Sequence, residues 1–134
     1  VGCFVNQQRL HLEDCKLENG LTAMAFSGKA HNPDMRQTEF AIFGHLNDLS
    51  QGCLRTGSAA MNLGYLSCGK FSLVIGKANK LWDVAAGLLI AEEAGASVKF
   101  NITDNKKHLV DYIASTTLSQ KKVMNDIDLS YFNF

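Results

Sequence analysis

The stretch LWDVAAGLLIAEEAG, residues 81–95, sets one aspartate, Asp83, near the start of an otherwise apolar segment with helical composition. Of the eleven residues from Leu81 to Ala91, nine are apolar, and the only exception besides Asp83 is Gly87. A helix that is apolar all round belongs in the middle of a protein, packed on both sides. An ionised carboxylate is costly to place there unless something pairs with it. The stretch therefore predicts a central helix with a chemically unusual residue at its mouth.

The chain around it has 134 residues, the size of one common domain and enough for a substantial core. Lys plus Arg and Asp plus Glu both number 13, so no bulk charge favours nucleic acid or an anionic membrane. The longest apolar stretch is too short and too rich in Ala and Gly to span a bilayer. No signal peptide is legible, although the chain starts at Val1 rather than Met, and a cytoplasmic setting is expected. Cys3, Cys15, Cys53 and Cys68 form no C-x-x-C pair, so neither zinc nor disulfides are expected, only free thiols.

Outward from the central helix, strands and helices alternate. CFVNQQRLHL (3–12) predicts two short strands about an Asn6-Gln7 turn, without the glycine that a tight type I′ turn favours. GLTAMAF (20–26) predicts a buried strand. A helix follows, with Asn32 as N-cap, Pro33 and Asp34 in the first turn, and Phe40, Phe43, Leu46 and Leu49 at helical spacing before Gly52. CLRT (53–56) is a short strand leading into a second helix, with Ala60, Leu63, Gly64 and Ser67 along it and Gly69 as its stop. FSLVIG (71–76) predicts a strand and a polar loop, then the Asp83 helix. SVKF (97–100) and DYIAST (111–116) predict closing strands, and a last helix runs from about Ser119 to Asn125. With no repeat and no linker, one three-layer α/β domain is expected.

Two strand-to-helix junctions could carry chemistry. At Thr56-Gly57-Ser58-Ala59, small residues leave backbone N–H groups uncovered, which suits a phosphate or a substrate hydroxyl. Alone, the pattern most simply makes Ser58 or Thr56 a helix cap. At Trp82-Asp83 the aspartate complements the helix dipole, again a capping role taken alone, and Trp82 suits packing. His11, His31, His45 and His108 are scattered without a nucleophilic partner, and Glu92 falls on the opposite side of the helix from Asp83.

Order and spacing add a resemblance. LRTGSAAMNLGYLSCGKFSLVIGKANKLWDVAAGLLIAEEAGASV resembles the C-terminal signature region of the inositol monophosphatase family. The family's Gly-[Ser/Thr]-Ala-Ala helix start is matched by Gly57-Ser58-Ala59-Ala60, its Trp-Asp-x-Ala-[Ala/Gly]-Gly by Trp82 to Gly87, and its Glu-Ala-Gly by Glu93-Ala94-Gly95. GCFVNQQRLHL is similar to the family's Gly-Ala-Phe-x-Asn-Gly hairpin. The resemblance implies a mixed central sheet flanked by helices, and Mg²⁺-dependent hydrolysis of a phosphate monoester on a small polyol such as inositol 1-phosphate. It makes Asp83 a metal ligand and places Gly57, Ser58, Ala59 and Gly76 at substrate-binding positions. A bound ion would also explain a charge on so apolar a helix.

Two departures qualify that expectation. Inositol-selective members carry a glutamate six residues before the tryptophan, and here that place is Gly76, which admits nucleotide 3′-phosphates or sugar phosphates as substrates. The Gly-Glu-Glu segment and the Asp-Pro-[Ile/Leu]-Asp-Gly-Thr motif of the family's N-terminal half are absent from these residues. The expected organisation is therefore a hairpin, residues 1–15, left from an N-terminal half, and a C-terminal α/β domain, residues 16–134. By itself the chain is expected to be inactive, and a homodimer is expected. The alternative is a non-catalytic protein-binding module, because family members resembling the bacterial extragenic-suppressor protein also act through partners in RNA metabolism.

Overall fold

A computed structural model describes residues 1–26 and 32–134; His31 lies outside them. The elements run β1 (Phe4–Val5), β2 (Gln8–Arg9), β3 (Thr22–Ala25), α1 (Pro33–Leu49), β4 (Cys53–Leu54), α2 (Ala59–Ser67), β5 (Leu73–Lys80), α3 (Leu81–Ala94), β6 (Ser97–Asp104), β7 (Leu109–Ser115) and α4 (Thr117–Asp126). Five strands form a mixed sheet in the order β4-β3-β5-β7-β6. β3 pairs in parallel with β4 and β5, whereas β7 is antiparallel to both β5 and β6.

Strand alternation distributes the core over two faces. Val74 of β5 joins Ala23, Val110, Tyr112 and Ala114 beneath Leu63 and Leu66 of α2 and Val84, Leu88 and Ala91 of α3. Leu73 and Ile75 point the other way, joining Met24 and Ile113 beneath Ile42 and Leu46 of α1 and Val123 of α4. Helices thus cover both faces, and the three-layer mixed α/β architecture is as expected.

Several local expectations need correction. α3 is not packed on both sides: Val84, Leu88 and Ala91 form one buried stripe, while Trp82, Leu89 and Ile90 are 67%, 59% and 43% exposed. Gly87, the other exception to its apolar run, is required by α2, since a Cβ there would come within 2.8 Å of the Leu63 Cβ. On α1 the buried residues are Glu39, Ile42 and Leu46. Phe40 is exposed and its ring instead meets Phe26, with centroids 5.2 Å apart.

The hairpin stands apart as its own two-stranded ribbon. Asn6 and Gln7 both take positive φ, 48° and 67°, the backbone of a type I′ turn built without glycine. Val5 faces solvent, but Leu12 does not. It packs against the α2–α3 side of the core, and its N–H donates to the Ala94 carbonyl at 2.7 Å. At the other end of the chain, β6 extends past Phe100 to Asp104, whose carboxylate accepts the Lys106 and Lys107 N–H groups and closes the turn into β7.

The polar segment after Gly76 is not a loop. β5 continues through it as a bulge: register with β7 shifts between Gly76 and Asn79, and Ala78 adopts φ +51°. Asp111 on β7, 1% exposed, holds this bulge. Its carboxylate accepts from the Ala78 N–H at 2.8 Å, the Lys77 Nζ at 3.0 Å and the Asn133 N–H at 3.0 Å. Lys77 also donates to the Tyr131 carbonyl at 2.7 Å, and its charge sits 4.5 Å from the centre of that ring. One buried carboxylate so ties two strands and the C-terminal tail. Asp111→Ala strands the Lys77 charge and two N–H groups, and should lower unfolding free energy by about 3–5 kcal/mol. Urea denaturation checks this; a loss below about 1 kcal/mol, the worth of an exposed pair, would show the clamp to be dispensable.

Candidate functional site

β3 and β5 lie side by side, but the chain leaves them in opposite directions. From β3 it crosses through α1 to β4; from β5 it crosses through α3, on the other face, to β6. In open α/β sheets such a reversal leaves a crevice at the carboxyl ends of the strands, where ligands bind. A cleft of about 240 Å³ occupies that place here. Met24, Ala25 and Phe26 form its floor at the end of β3, Arg55, Gly57, Ser58, Ala59 and Asn62 its α2 wall, and Asn79 and Asp83 its α3 wall. A larger cavity of about 630 Å³ lies at the opposite end of the sheet, beside Gly20, Gly69 and Ser72.

The α2 wall is built by a local hydrogen-bond circuit. Gly57 takes φ +85°, a conformation costly for other residues, and turns the chain into the helix. Ser58 is the N-cap, its hydroxyl accepting from the Met61 N–H at 3.2 Å, so its capping role holds. Thr56 Oγ1 donates to Asn62 Oδ1 at 2.6 Å and accepts from the Ser58 N–H, which locks the loop onto the helix. The Ala59 and Ala60 N–H groups have no acceptor among the described residues, and they stand at the positive end of the helix dipole. Arg55 adds a full positive charge over the Phe26 ring, 4.9 Å from its centre.

Asp83 sits across the cleft in the first turn of α3, exposed to solvent. Among the described residues it makes no ion pair and caps nothing: the N-cap residue is Lys80, without a side-chain bond. That corrects two expectations. The carboxylate is not a helix cap, and no bound ion is required to offset burial, because this face of α3 is open. Gly76 is corrected as well. It is buried in β5 and does not line the cleft, since the space beside its Cα is filled by the Tyr112 ring and the Asn79 carboxamide. Gly57, Ser58, Ala59 and Asp83 are brought together; Gly76 is held behind them.

Arg55, Asn62 and Asn79 are cleft residues that sequence reasoning missed. Asn62 carried a legible signal, a lone amide four residues after Ser58 on an apolar helix. Asn79 carried none, because the bulge that turns it inward depends on Asp111, far along the chain.

A hard divalent cation is judged by its donor set. Mg²⁺ commonly takes one or two carboxylates and completes its shell with water and phosphate oxygens. Asp83, exposed and without a partner among the described residues, fits as one ligand. Among the described residues, no group of three or more His, Cys, Asp or Glu converges to complete a site.

The inositol monophosphatase family model matches residues 1–126. The chain belongs to this family. It is 48% identical over 101 residues to the Nus factor SuhB of Xylella fastidiosa, covering 73% of this chain and 35% of that protein. To the inositol-1-monophosphatase of Synechocystis it is 41% identical over 100 residues, 73% of this chain and 34% of that one. The solved inositol monophosphatase of Anabaena matches with a TM-score of 0.77 at 26% identity, over 98% of this chain and 55% of that chain. The chain thus spans about a third of the curated relatives' length that it matches and about half of the solved structure.

Two substitutions separate scaffold from site in this family member. Ser58→Ala removes the α2 cap and should cost about 1 kcal/mol. Asp83→Asn loses only a dipole interaction, about 0.3–1 kcal/mol at most for an exposed group. Urea unfolding of both variants should rank them in that order; a larger loss for Asp83→Asn would mean that the carboxylate has a structural partner.

Proposed function

We propose that this chain supplies one substrate-facing wall and one metal ligand of a Mg²⁺-dependent phosphomonoesterase acting on a small phosphorylated polyol such as inositol 1-phosphate. The observation that carries the reading is the convergence, in one cleft, of the α2 N-terminus, where the Ala59 and Ala60 N–H groups have no acceptor among the described residues, with the Asp83 carboxylate, which has no partner among them either. Family membership supports it.

In this reading a phosphate dianion sits at the α2 N-terminus, held by the two backbone donors and by the Arg55 charge. Ser58 keeps its hydroxyl proton while its oxygen caps the helix, so it can donate to a substrate oxygen. Thr56 and Asn62 fix the loop and spend none of their own donors on the ligand. When bound at Asp83, Mg²⁺ would supply a Lewis acid and an activated water. One carboxylate is too few to hold it firmly, so hydrolysis needs ligands from beyond the residues described. The exposed apolar side chains of α2 and α3, Met61, Tyr65, Leu89 and Ile90, fit a chain that works as part of a larger body. The missing carboxylate at position 76 favours sugar phosphates or nucleotide 3′-phosphates as second candidates.

Inorganic phosphate titrated into the ¹⁵N-labelled chain should shift the Ala59 and Ala60 amides. Mn²⁺, standing in for Mg²⁺, should broaden resonances around Asp83, and Asp83→Asn should weaken that effect at least about tenfold, the loss that even a residue one step removed from a metal can bring. Inositol 1-phosphate with Mg²⁺ should not be turned over by this chain alone. Amides that ignore phosphate, together with Mn²⁺ broadening that survives Asp83→Asn, would overturn the reading.

A further inference from the structure

Asn79 stands at the lip of the cleft, in the bulged end of β5 and four residues before Asp83. Its carboxamide is poorly satisfied. Nδ2 reaches only the Lys77 carbonyl, at a long 3.5 Å, and Oδ1 is sealed from solvent with no partner. A second buried polar atom without a partner is the hydroxyl of Tyr112, which pairs across the strands with Gly76. Burial holds that phenol protonated, its pKa pushed well above the ordinary tyrosine value. Both side chains crowd one spot: a Cβ at position 76 would meet Tyr112 Cζ at 2.6 Å and Asn79 Oδ1 closer still. Position 76 is closed to any side chain. After the turn at Ala78, φ +51°, Asn79 lines the cleft while its carboxamide packs back against Gly76.

We propose that Asn79, backed by Tyr112, is a specificity-determining residue that holds a hydroxyl of the substrate next to its phosphate. The proposal rests on the phosphatase reading of the cleft. Native proteins rarely leave a buried carbonyl oxygen unpaired, and where they do, the group calls for an explanation such as strain, an ordered water or ion, or a functional role. On binding, the carboxamide turns from its contact with Gly76 toward the cleft, where Oδ1 accepts a hydroxyl proton and Nδ2 donates. Being neutral, it adds no like charge beside a phosphate dianion, as a carboxylate would. The ligand class is therefore a sugar or polyol phosphate whose free hydroxyl is read by a neutral amide.

The test follows the Asn79 side-chain amide and the Ala59 and Ala60 backbone amides of the ¹⁵N-labelled chain, titrated with inorganic phosphate and separately with inositol 1-phosphate. Phosphate should move the backbone pair alone, and inositol 1-phosphate should move all three. Asn79→Ala should weaken inositol 1-phosphate about five- to tenfold, the worth of one neutral hydrogen bond, and leave inorganic phosphate unchanged. Its melting temperature should not fall, because the truncation removes an unsatisfied group rather than a contact. A backbone response to inositol 1-phosphate without an Asn79 response overturns the proposal and leaves the phosphate reading standing. So does a variant that weakens both ligands equally. Silence at every amide with both ligands overturns the two together.

Discussion

Leu73 and Ile75 point from β5 to one face of the sheet and Val74 to the other, all three sealed from solvent. A strand buried on both faces needs helices on both, and that constraint arranges the rest of the molecule. The β3–α1–β4 crossover covers one face, and the β4–α2–β5 and β5–α3–β6 crossovers cover the other. Because β3 and β5 send their helices to opposite sides, the sheet opens at their carboxyl ends. The cleft is thus a by-product of covering the sheet, and the helix termini that line it come from the same arrangement.

Asp111 links this scaffold to the site. A carboxylate buried to 1% exposure is tolerable because it accepts three hydrogen bonds, one from the Lys77 ammonium. Its acceptance of the Ala78 N–H holds the bulge that carries Asn79 into the cleft. Asp83, by contrast, has no such support among the described residues and is left exposed. The two aspartates show opposite solutions to placing a charge: one is enclosed and fully satisfied, and the other is left in solvent.

The family relation and the geometry meet at particular residues. Ser58 is both a helix cap and a cleft residue, so capping the helix does not remove it from the cleft. Gly76 is different. Its lack of a side chain is enforced by Tyr112 from the neighbouring strand, and the polar group near that position arrives from Asn79 by way of the bulge. A position that reads in sequence as a simple loss is, in three dimensions, filled by its neighbours.

Alternating strands and helices, the Asn32 and Ser58 caps, and the Gly57-Ser58-Ala59 and Trp82-Asp83 junctions were legible in the sequence, because caps, turns and periodicity act over a few residues. The positive φ of Asn6 and Gln7 was only half visible, since neither is glycine. The buried stripe of α1 was misread, because Phe40 and Ile42 are both apolar and only the direction of the helix against the sheet chooses between them. The apolar run from Leu81 to Ala91 likewise showed a helix but not which side of it would be covered. Position 79 was the hardest, because its inward turn depends on a hydrogen bond from the Ala78 N–H to Asp111 and on the ring of Tyr112, more than thirty residues away. Local chemistry determined the elements and the helix starts; contacts between distant strands decided which side chains the cleft receives.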